Sequence, residues 1–516
     1  MNPVKRNRVV AVLLACGLLA ASGCIRPPHL RVHVPEDVTV PQRCAVMFFA
    51  DGVAADVFDN LLHSNDLPAI DRRFIQAGVR ADHAVTAVPS ITYGITTTLL
   101  TGRVPGHHDI LGNKWFDRTT FVYRDYNLAA TYQQVEGDYD APTIYEILDD
   151  RFTVSIQCAN RRGVTRTIDL WTESGVCFFF GWHHWADGMV ARSMEQVVGL
   201  ARREGRWPDF IHLYFPGLDA DGHQFGCESE EYRGALKNID KQIGKVCDAL
   251  EAAGVLDRTY LALVSDHGHV ATPREQYLDL TPMLRKRHGW RIHEGRYDSG
   301  PVSWRRRHFE GVDAVAINGG NRVYSLHLSG PEGWRSRPDF DRCRGIIGEG
   351  PDSLVAQAAI FAAACRTSPD EVWICGKDGA ATVARRRTGE RLEYRYDVRS
   401  GDPLGYLSDA SVAAFVQQGW HESRAWLAAT AGLRCPDTVA QIVEVFDSPR
   451  SADILLFAVE GWDFARCNLG GHGSIVRGDM VVPMCFAGPG IRRHERIPVA
   501  RTCDVAPTIV ELLAGP

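Results

Sequence analysis

Ala45-Val-Met-Phe-Phe-Ala50, running straight into Asp51-Gly52, is an unbroken apolar stretch of strand length that stops on an acid. Two later runs share this layout: Phe210-Ile-His-Leu-Tyr-Phe215 ahead of Pro216-Gly-Leu-Asp219-Ala-Asp-Gly222-His223, and Tyr260-Leu-Ala-Leu-Val-Ser265 ahead of Asp266-His267-Gly268-His269. Short continuous apolar runs are expected of strands buried on both faces. In open α/β sheets ligand sites form just beyond the carboxyl ends of strands, so polar groups at three such ends can meet in space. With Thr92 and His472 added, the candidate metal ligands are Asp51, Thr92, Asp219, His223, Asp266, His267 and His472. That set points to a two-metal hydrolase.

Apolar runs alternate with helix-like segments from about Cys44 to His269; in Ser229–Ala253, for example, Leu236, Ile239, Ile243, Val246 and Leu250 recur at helical spacing. The alternation predicts a mostly parallel sheet covered by helices on both faces, a three-layer α/β/α core. Ala452–Ala458 and Met480–Ala487 read as returning strands, and Asp504–Leu513 as a closing helix. Between them the pattern loosens and includes a hairpin over Ala381–Val398, turning near Thr388-Gly389. Because His472 follows this region and its expected partners precede it, the region reads as an insertion into one core. The expected organisation is a signal peptide at 1–23, a tether at 24–42, the first part of the core at 43–270, an inserted cap at 271–451 and the second part of the core at 452–516. Trp182, Trp185 and Phe178–Phe180 form an aromatic cluster suited to filling a core or stacking on a base.

Lys5, Arg6 and Arg8 precede the apolar stretch Val9–Ala21, which is too short to span a bilayer and has the layout of an export signal. It closes on Ala21-Ser22-Gly23-Cys24, which resembles a bacterial lipoprotein cleavage box, with Ala where the usual Leu stands. The resemblance implies lipidation at Cys24 and a periplasmic or cell-envelope location; ordinary cleavage without an anchor is the alternative. Net charge is -6 for the whole chain and becomes -9 once residues 1–23 are removed. No basic surface for polymeric nucleic acid is expected, so the partners are small phosphoesters or nucleotides, with membrane contact only through the anchor. None of the 14 cysteines forms a Cys-x-x-Cys pair, which argues against thiolate zinc sites. Oxygen and imidazole donors instead suit zinc, and carboxylates mixed with histidines also admit manganese or iron.

Five motifs occur in one order: Asp51; Pro89-Ser90-Ile91-Thr92 with Thr101-Gly102 and Pro105–Asn113; Asp219-Ala-Asp-Gly-His223; Asp266-His267-Gly268; and Gly471-His472-Gly473. In this the chain resembles the alkaline phosphatase superfamily, and within it the nucleotide pyrophosphatase/phosphodiesterase branch, over roughly residues 44–270 and 452–513. A small departure is His108-Asp109, where the family has His-Gly. The resemblance implies an alkaline-phosphatase-like core and two divalent metal ions, with zinc foremost and manganese as the alternative. It implies one metal among Asp51, Thr92, Asp266 and His267, and the other held by Asp219, His223 and His472. It also implies that Thr92 is the nucleophile, forming a phosphothreonine, and that Asn113 donates to a phosphoryl oxygen.

Phosphomonoesterases of similar nucleophile motif carry a Lys-x-Arg pair that grips the extra monoester charge. The matching stretch is Ala159-Asn160-Arg161-Arg162-Gly163, with Asn160 in place of the Lys and Arg162 kept as a candidate substrate contact. Half of that signature fits either class; without the Lys a monoanionic diester is better matched, which favours a phosphodiesterase or nucleotide pyrophosphatase. An alkaline phosphomonoesterase with the same metals is the first alternative, and a non-catalytic metal-binding envelope lipoprotein is the second.

Overall fold

The computed structural model describes residues 30–128, 130–348, 353–466 and 468–515; the expected signal peptide and Cys24 lie outside the described residues. Strands β1 (Cys44–Ala50), β2 (Gly78–Val85), β3 (Thr153–Ile156), β4 (Arg166–Ile168), β5 (Phe210–Phe215) and β6 (Thr259–Val264) come first. Then follow β7 (Ala314–Gly319), β8 (Val323–Leu328), β9 (Ile360–Ser368), β10 (Glu371–Gly376), β11 (Gly379–Thr388), β12 (Arg391–Gly401) and β13 (Ile454–Ala458). The chain ends with β14 (Met484–Ala487), β15 (Glu495–Arg501) and a helix over Val505–Ala514.

The core sheet runs β2-β14-β6-β1-β5-β3-β4, with β15 and Val481–Val482 also against β2. The pairs β1/β5, β1/β6, β3/β5 and β3/β4 are parallel. Every residue of β1 is buried. Val46, Phe48 and Ala50 face one apolar cluster, while Ala45, Met47 and Phe49 face another, as the period of two requires. Of the helices, α1 (Thr92–Thr101) packs in the second cluster. Helices α2 (Trp171–Phe180), α3 (His183–Arg192), α4 (Met194–Glu204), α5 (Gly217–Phe225) and α6 (Glu230–Ala252) follow in chain order. Leu236, Ile239, Ile243, Val246 and Leu250 of α6 are buried in the first cluster, which gives the helix–sheet–helix layering.

A second, largely antiparallel sheet runs from Ile292–His293 through β7-β8-β13-β9-β10-β11-β12 to His421–Glu422. The expected hairpin is β11/β12, which pair from Gly379↔Gly401 to Thr388↔Arg391. One strand is placed differently from the sequence reading. Ala452–Ala458 was expected to return to the core sheet, yet β13 lies in the second sheet between β8 and β9. A five-residue strand buried throughout suits the centre of either sheet, and its apolar run carries no information on which.

The two sheets are tied by a buried ion pair. Arg322, just ahead of β8, donates from Nε and Nη2 to Asp479 at 2.9 and 3.2 Å, and from Nη1 to the Trp462 and Val459 carbonyls. Neither charged side chain is exposed. Asp479 also accepts the Ser474 N–H at 3.0 Å, and its carbonyl accepts the Gly268 N–H. Arg322→Met is expected to lower unfolding free energy by about 3–5 kcal/mol, because Asp479 would stay buried without its partner. The urea midpoint of the purified variant measures this.

Candidate metal centre

Strands β1, β5 and β6 are neighbours, and their ends are level: Ala50 pairs with Phe215, and Phe49 with Val264. The residues that follow are therefore delivered to one place. Asp51, Asp266 and His267 form one group of candidate ligands and Asp219, His223 and His472 another, with the donor atoms of each group within 4.8 Å of one another. His267 Nε2 lies 3.4 Å from Asp51 Oδ1 and 3.2 Å from Asp266 Oδ2. Thr92, the first residue of α1, sets Oγ1 3.2 Å from the same nitrogen. In the other group His223 Nε2 is 3.4 Å from Asp219 Oδ2, and His472 Nε2 is 3.8 Å from Asp219 Oδ1. The rings of His267 and His472 stack at 3.5 Å and 4°, which puts the two groups side by side.

The far sides of these ligands are fixed by hydrogen bonds. Tyr214 donates its hydroxyl to Asp51 Oδ2, and the Gly52 N–H donates to Asp266 Oδ1 at 3.1 Å. His267 Nδ1 meets the Gly268 carbonyl at 2.9 Å, His472 Nδ1 the Ser90 carbonyl at 2.8 Å and His223 Nδ1 the Gly470 carbonyl at 2.8 Å. These carbonyls accept from Nδ1–H, an arrangement that turns the Nε2 atom of each ring toward the pocket as a ligand position.

The donor set fits divalent cations. Asp51 Oδ1, Asp219 Oδ1 and Asp266 Oδ2 are buried and have no hydrogen-bond partner. Burial, then the nearby Asp266 and Asp219, hold the Asp51 carboxyl well above its ordinary range. Burial likewise raises Asp266. Burial and three neighbouring imidazoles push His472 well below its usual value, leaving it neutral as a ligand must be. Buried carboxylates at this density are expected to be neutralised by cations or by protons.

The remaining expected site residues fall as follows. Asn113 sits beside the start of α1, where Oδ1 accepts the Tyr93 N–H at 3.0 Å and Nδ2 donates to Asn127 at 3.3 Å. Arg162 was expected to touch substrate, but its guanidinium is committed elsewhere. It makes two 2.9 Å bonds to Glu146 and also donates to the Tyr139, Ala141 and Glu136 carbonyls. Its acidic partner lies four residues beyond Pro142 in a separate turn of chain, so the sequence carries no local sign of the pairing. Asn160 is also occupied, donating to Thr97 at 2.9 Å and accepting from Tyr139. A cleft of about 30 Å³ beside Thr92 is lined by Tyr93, Thr96, Cys158, Ala159, Asn160, Trp171 and Tyr214. Tyr214 was missed in the sequence; the signal was its place in β5, facing the same way as His212, whose ring stacks on Phe49.

Fold and pocket together define an α/β protein with a candidate metal centre at the carboxyl edge of a mostly parallel sheet. The chain belongs to the type I phosphodiesterase / nucleotide pyrophosphatase family, whose model matches residues 45–329. It is 23% identical over 220 residues to ectonucleotide pyrophosphatase/phosphodiesterase family member 7 of Mus musculus, covering 39% of this chain and 45% of that protein. It is 24% identical over 255 residues to bis(5'-adenosyl)-triphosphatase enpp4 of Mus musculus, covering 47% and 50%. A venom phosphodiesterase of Macrovipera lebetinus is 24% identical over 244 residues, covering 45% and 26%. The matched region thus spans half or less of the length of these curated relatives. The solved structure of murine ectonucleotide pyrophosphatase/phosphodiesterase 5 superposes with a TM-score of 0.56 at 15% identity, over 92% of this chain and 95% of that one. That likeness supports the alkaline-phosphatase-like fold implied by the motifs.

Gly52 ties the two ligand groups together. Its φ is +68°, and an added Cβ would sit 2.9 Å from Cβ and Oδ1 of Asp219. Gly52→Ala is expected to cost about 1–3 kcal/mol of stability from backbone strain alone and to displace Asp219. Denaturant titration reads the first effect, and the content of bound divalent metal by elemental analysis reads the second.

Proposed function

We propose that this protein hydrolyses phosphodiester or pyrophosphate bonds through Thr92, with Asp51, Asp266 and His267 holding one divalent metal and Asp219, His223 and His472 the other. When bound, such a pair of dications lowers the pKa of a coordinated hydroxyl and screens charge on the phosphoryl group. Thr92 forms the new Oγ–phosphorus bond as the bond from phosphorus to the leaving oxygen breaks; water then cleaves the phosphothreonine. Thr92 is the first residue of α1, whose helix dipole favours negative charge on its oxygen. Asn113, fixed against the Tyr93 N–H, is assigned to the phosphoryl oxygen.

The observation that carries the choice of ester is the lining of the Thr92 cleft. Among the described residues it holds aromatic, hydroxyl, amide and thiol groups and no cationic side chain. A monoester dianion needs an additional positive partner, and Arg162 is already spent on Glu146. The cleft holds no more than a water-sized group, and its neutral lining suits a diester or pyrophosphate that brings less charge to this side of Thr92 than a monoester dianion. The names of relatives that include nucleotide pyrophosphatase, phosphodiesterase and bis(5'-adenosyl)-triphosphatase agree with this choice.

A zinc-loaded preparation is expected to turn over bis-nitrophenyl phosphate faster than nitrophenyl phosphate; a much faster monoester would reverse the assignment. Thr92→Ala should cut turnover at least about 10⁴-fold while leaving bound metal nearly unchanged. Asn113→Ala should lower kcat by about 10²–10³-fold, as measured for lost oxyanion donors elsewhere. If Thr92→Ala retains activity, Thr92 has no such role.

A further inference from the structure

Four of the five aromatic side chains of this cluster are exposed, and none is in the core. Phe179 is 79% exposed, Trp185 60% and Trp182 43%, and Phe180 is also exposed. They crowd the turn between α2 and α3, where Gly181 takes φ +70° and Phe180 stacks on Trp182 at 4.9 Å. Of the ten residues of α2 only Ser174 and Cys177 are fully buried; Trp171, Val176 and Phe178 are half-buried, and the exposed apolar surface is at the helix's end, on Phe179 and Phe180. A contiguous exposed patch of large apolar side chains marks an interaction surface.

Two features of the surroundings identify its partner. First, three cationic side chains, Arg192, Lys241 and Lys245, lie together along α3 and α6, among which Arg192 and Lys241 are exposed. Helix α6 packs along α3, and Asn238 donates to the His184 carbonyl at 3.3 Å, beside Trp185. Lys241 and Arg192 lie close enough to Lys245 to help burial hold its ammonium below the ordinary value. Second, the first described residues meet the opposite end of α3 from the aromatic turn. Leu30 and Val32 join the apolar cluster of Val190, Ala191 and Met194, and the Arg31 N–H meets Glu195 at 3.5 Å, at the start of α4 directly after α3. Cys24 precedes Leu30 by six residues, a reach of at most about 20 Å.

We propose that the α2–α3 turn is a membrane-seating surface for an anionic phospholipid bilayer, with Phe179, Phe180, Trp182 and Trp185 entering the interface and Lys241, Lys245 and Arg192 meeting the headgroups. Tryptophan and phenylalanine favour the interfacial layer, and each basic residue near an anionic surface adds about fivefold to partition. The surface acts together with a lipid on Cys24, since stable anchoring takes two signals. It holds one face of the molecule toward the bilayer.

The test uses the full chain, as produced and as Cys24→Ser, with vesicles of phosphatidylglycerol and phosphatidylethanolamine carrying brominated acyl chains. Tryptophan emission should be quenched on these vesicles, and less so on phosphatidylcholine. In the Cys24→Ser background, the combined variant Phe179→Ser/Trp182→Ser/Trp185→Ser should lose the quenching and partition at least about tenfold more weakly. Lys241→Glu/Lys245→Glu should weaken binding to the anionic vesicles and flatten its salt dependence while keeping both tryptophans. An unchanged melting temperature shows that the variants fold. Equal quenching and partition in the aromatic variant would overturn the proposal, as would loss of self-association with vesicle binding untouched, which would make the patch a contact between copies of this chain.

Discussion

The structure turns on a concentration of like charge that the protein itself does not neutralise. Asp51, Asp219 and Asp266 come within reach of one another in a buried pocket, each with a carboxylate oxygen that no protein group satisfies. Folding would disfavour this assembly if the carboxylates stayed bare, since desolvation already drives Asp51 and Asp266 toward protonation. Everything around the pocket steers those oxygens inward. Tyr214 and the Gly52 N–H occupy the outer oxygens of Asp51 and Asp266, and backbone carbonyls take the Nδ1 side of three imidazoles. The fold organises a site for external positive charge, and the surrounding groups decide its shape.

The second sheet contributes to that shape. His472 is not carried by the core sheet: its N–H donates to the Gly320 carbonyl at 2.7 Å, and its carbonyl accepts the Arg322 N–H at 3.2 Å. Gly320 has φ +55°, and a Cβ there would stand 2.4 Å from the His472 carbonyl oxygen, so the close approach requires glycine. Arg322 then reaches Asp479, which in turn receives the Ser474 N–H and, through its carbonyl, the Gly268 N–H. One buried guanidinium thus links the loop of His267 to the loop of His472. The second sheet therefore supports the candidate metal pocket.

What could be read from the sequence follows from how local each signal is. The ends of β1, β5 and β6 were legible because a continuous apolar run stopping on Asp fixes both a buried strand and the polar group at its tip. Parallel pairing then makes the tips converge. The helix Glu230–Ala252 was legible from its spacing, with Ser229 accepting the Tyr232 N–H at its start. Long-range pairings were not legible. Nothing near Arg162 announces Glu146, nothing near Arg322 announces Asp479, and the wholly buried β13 fits either sheet. The aromatic run Phe178–Phe180 misled for the same reason: composition alone does not distinguish a core from an exposed turn.

The division of charge between the pocket and the adjoining cleft bears on specificity. Anionic side chains are confined to the metal side of Thr92. The other side, from Tyr93 through Asn160 to Trp171, is neutral, and the nearby guanidiniums are turned away: Arg162 to Glu146 and Arg161 to Glu136 and Asp169. A phosphoryl group would therefore find its positive partners on the metal side only. The rest of the substrate would meet aromatic rings and an amide already bound to Thr97 and Tyr139. Such an arrangement rewards an organic substituent on the phosphorus over a second bare oxygen anion. Under the proposed function, discrimination between ester classes would come less from an added recognition group than from the neutralisation of the two arginines that lie closest in sequence to Asn160.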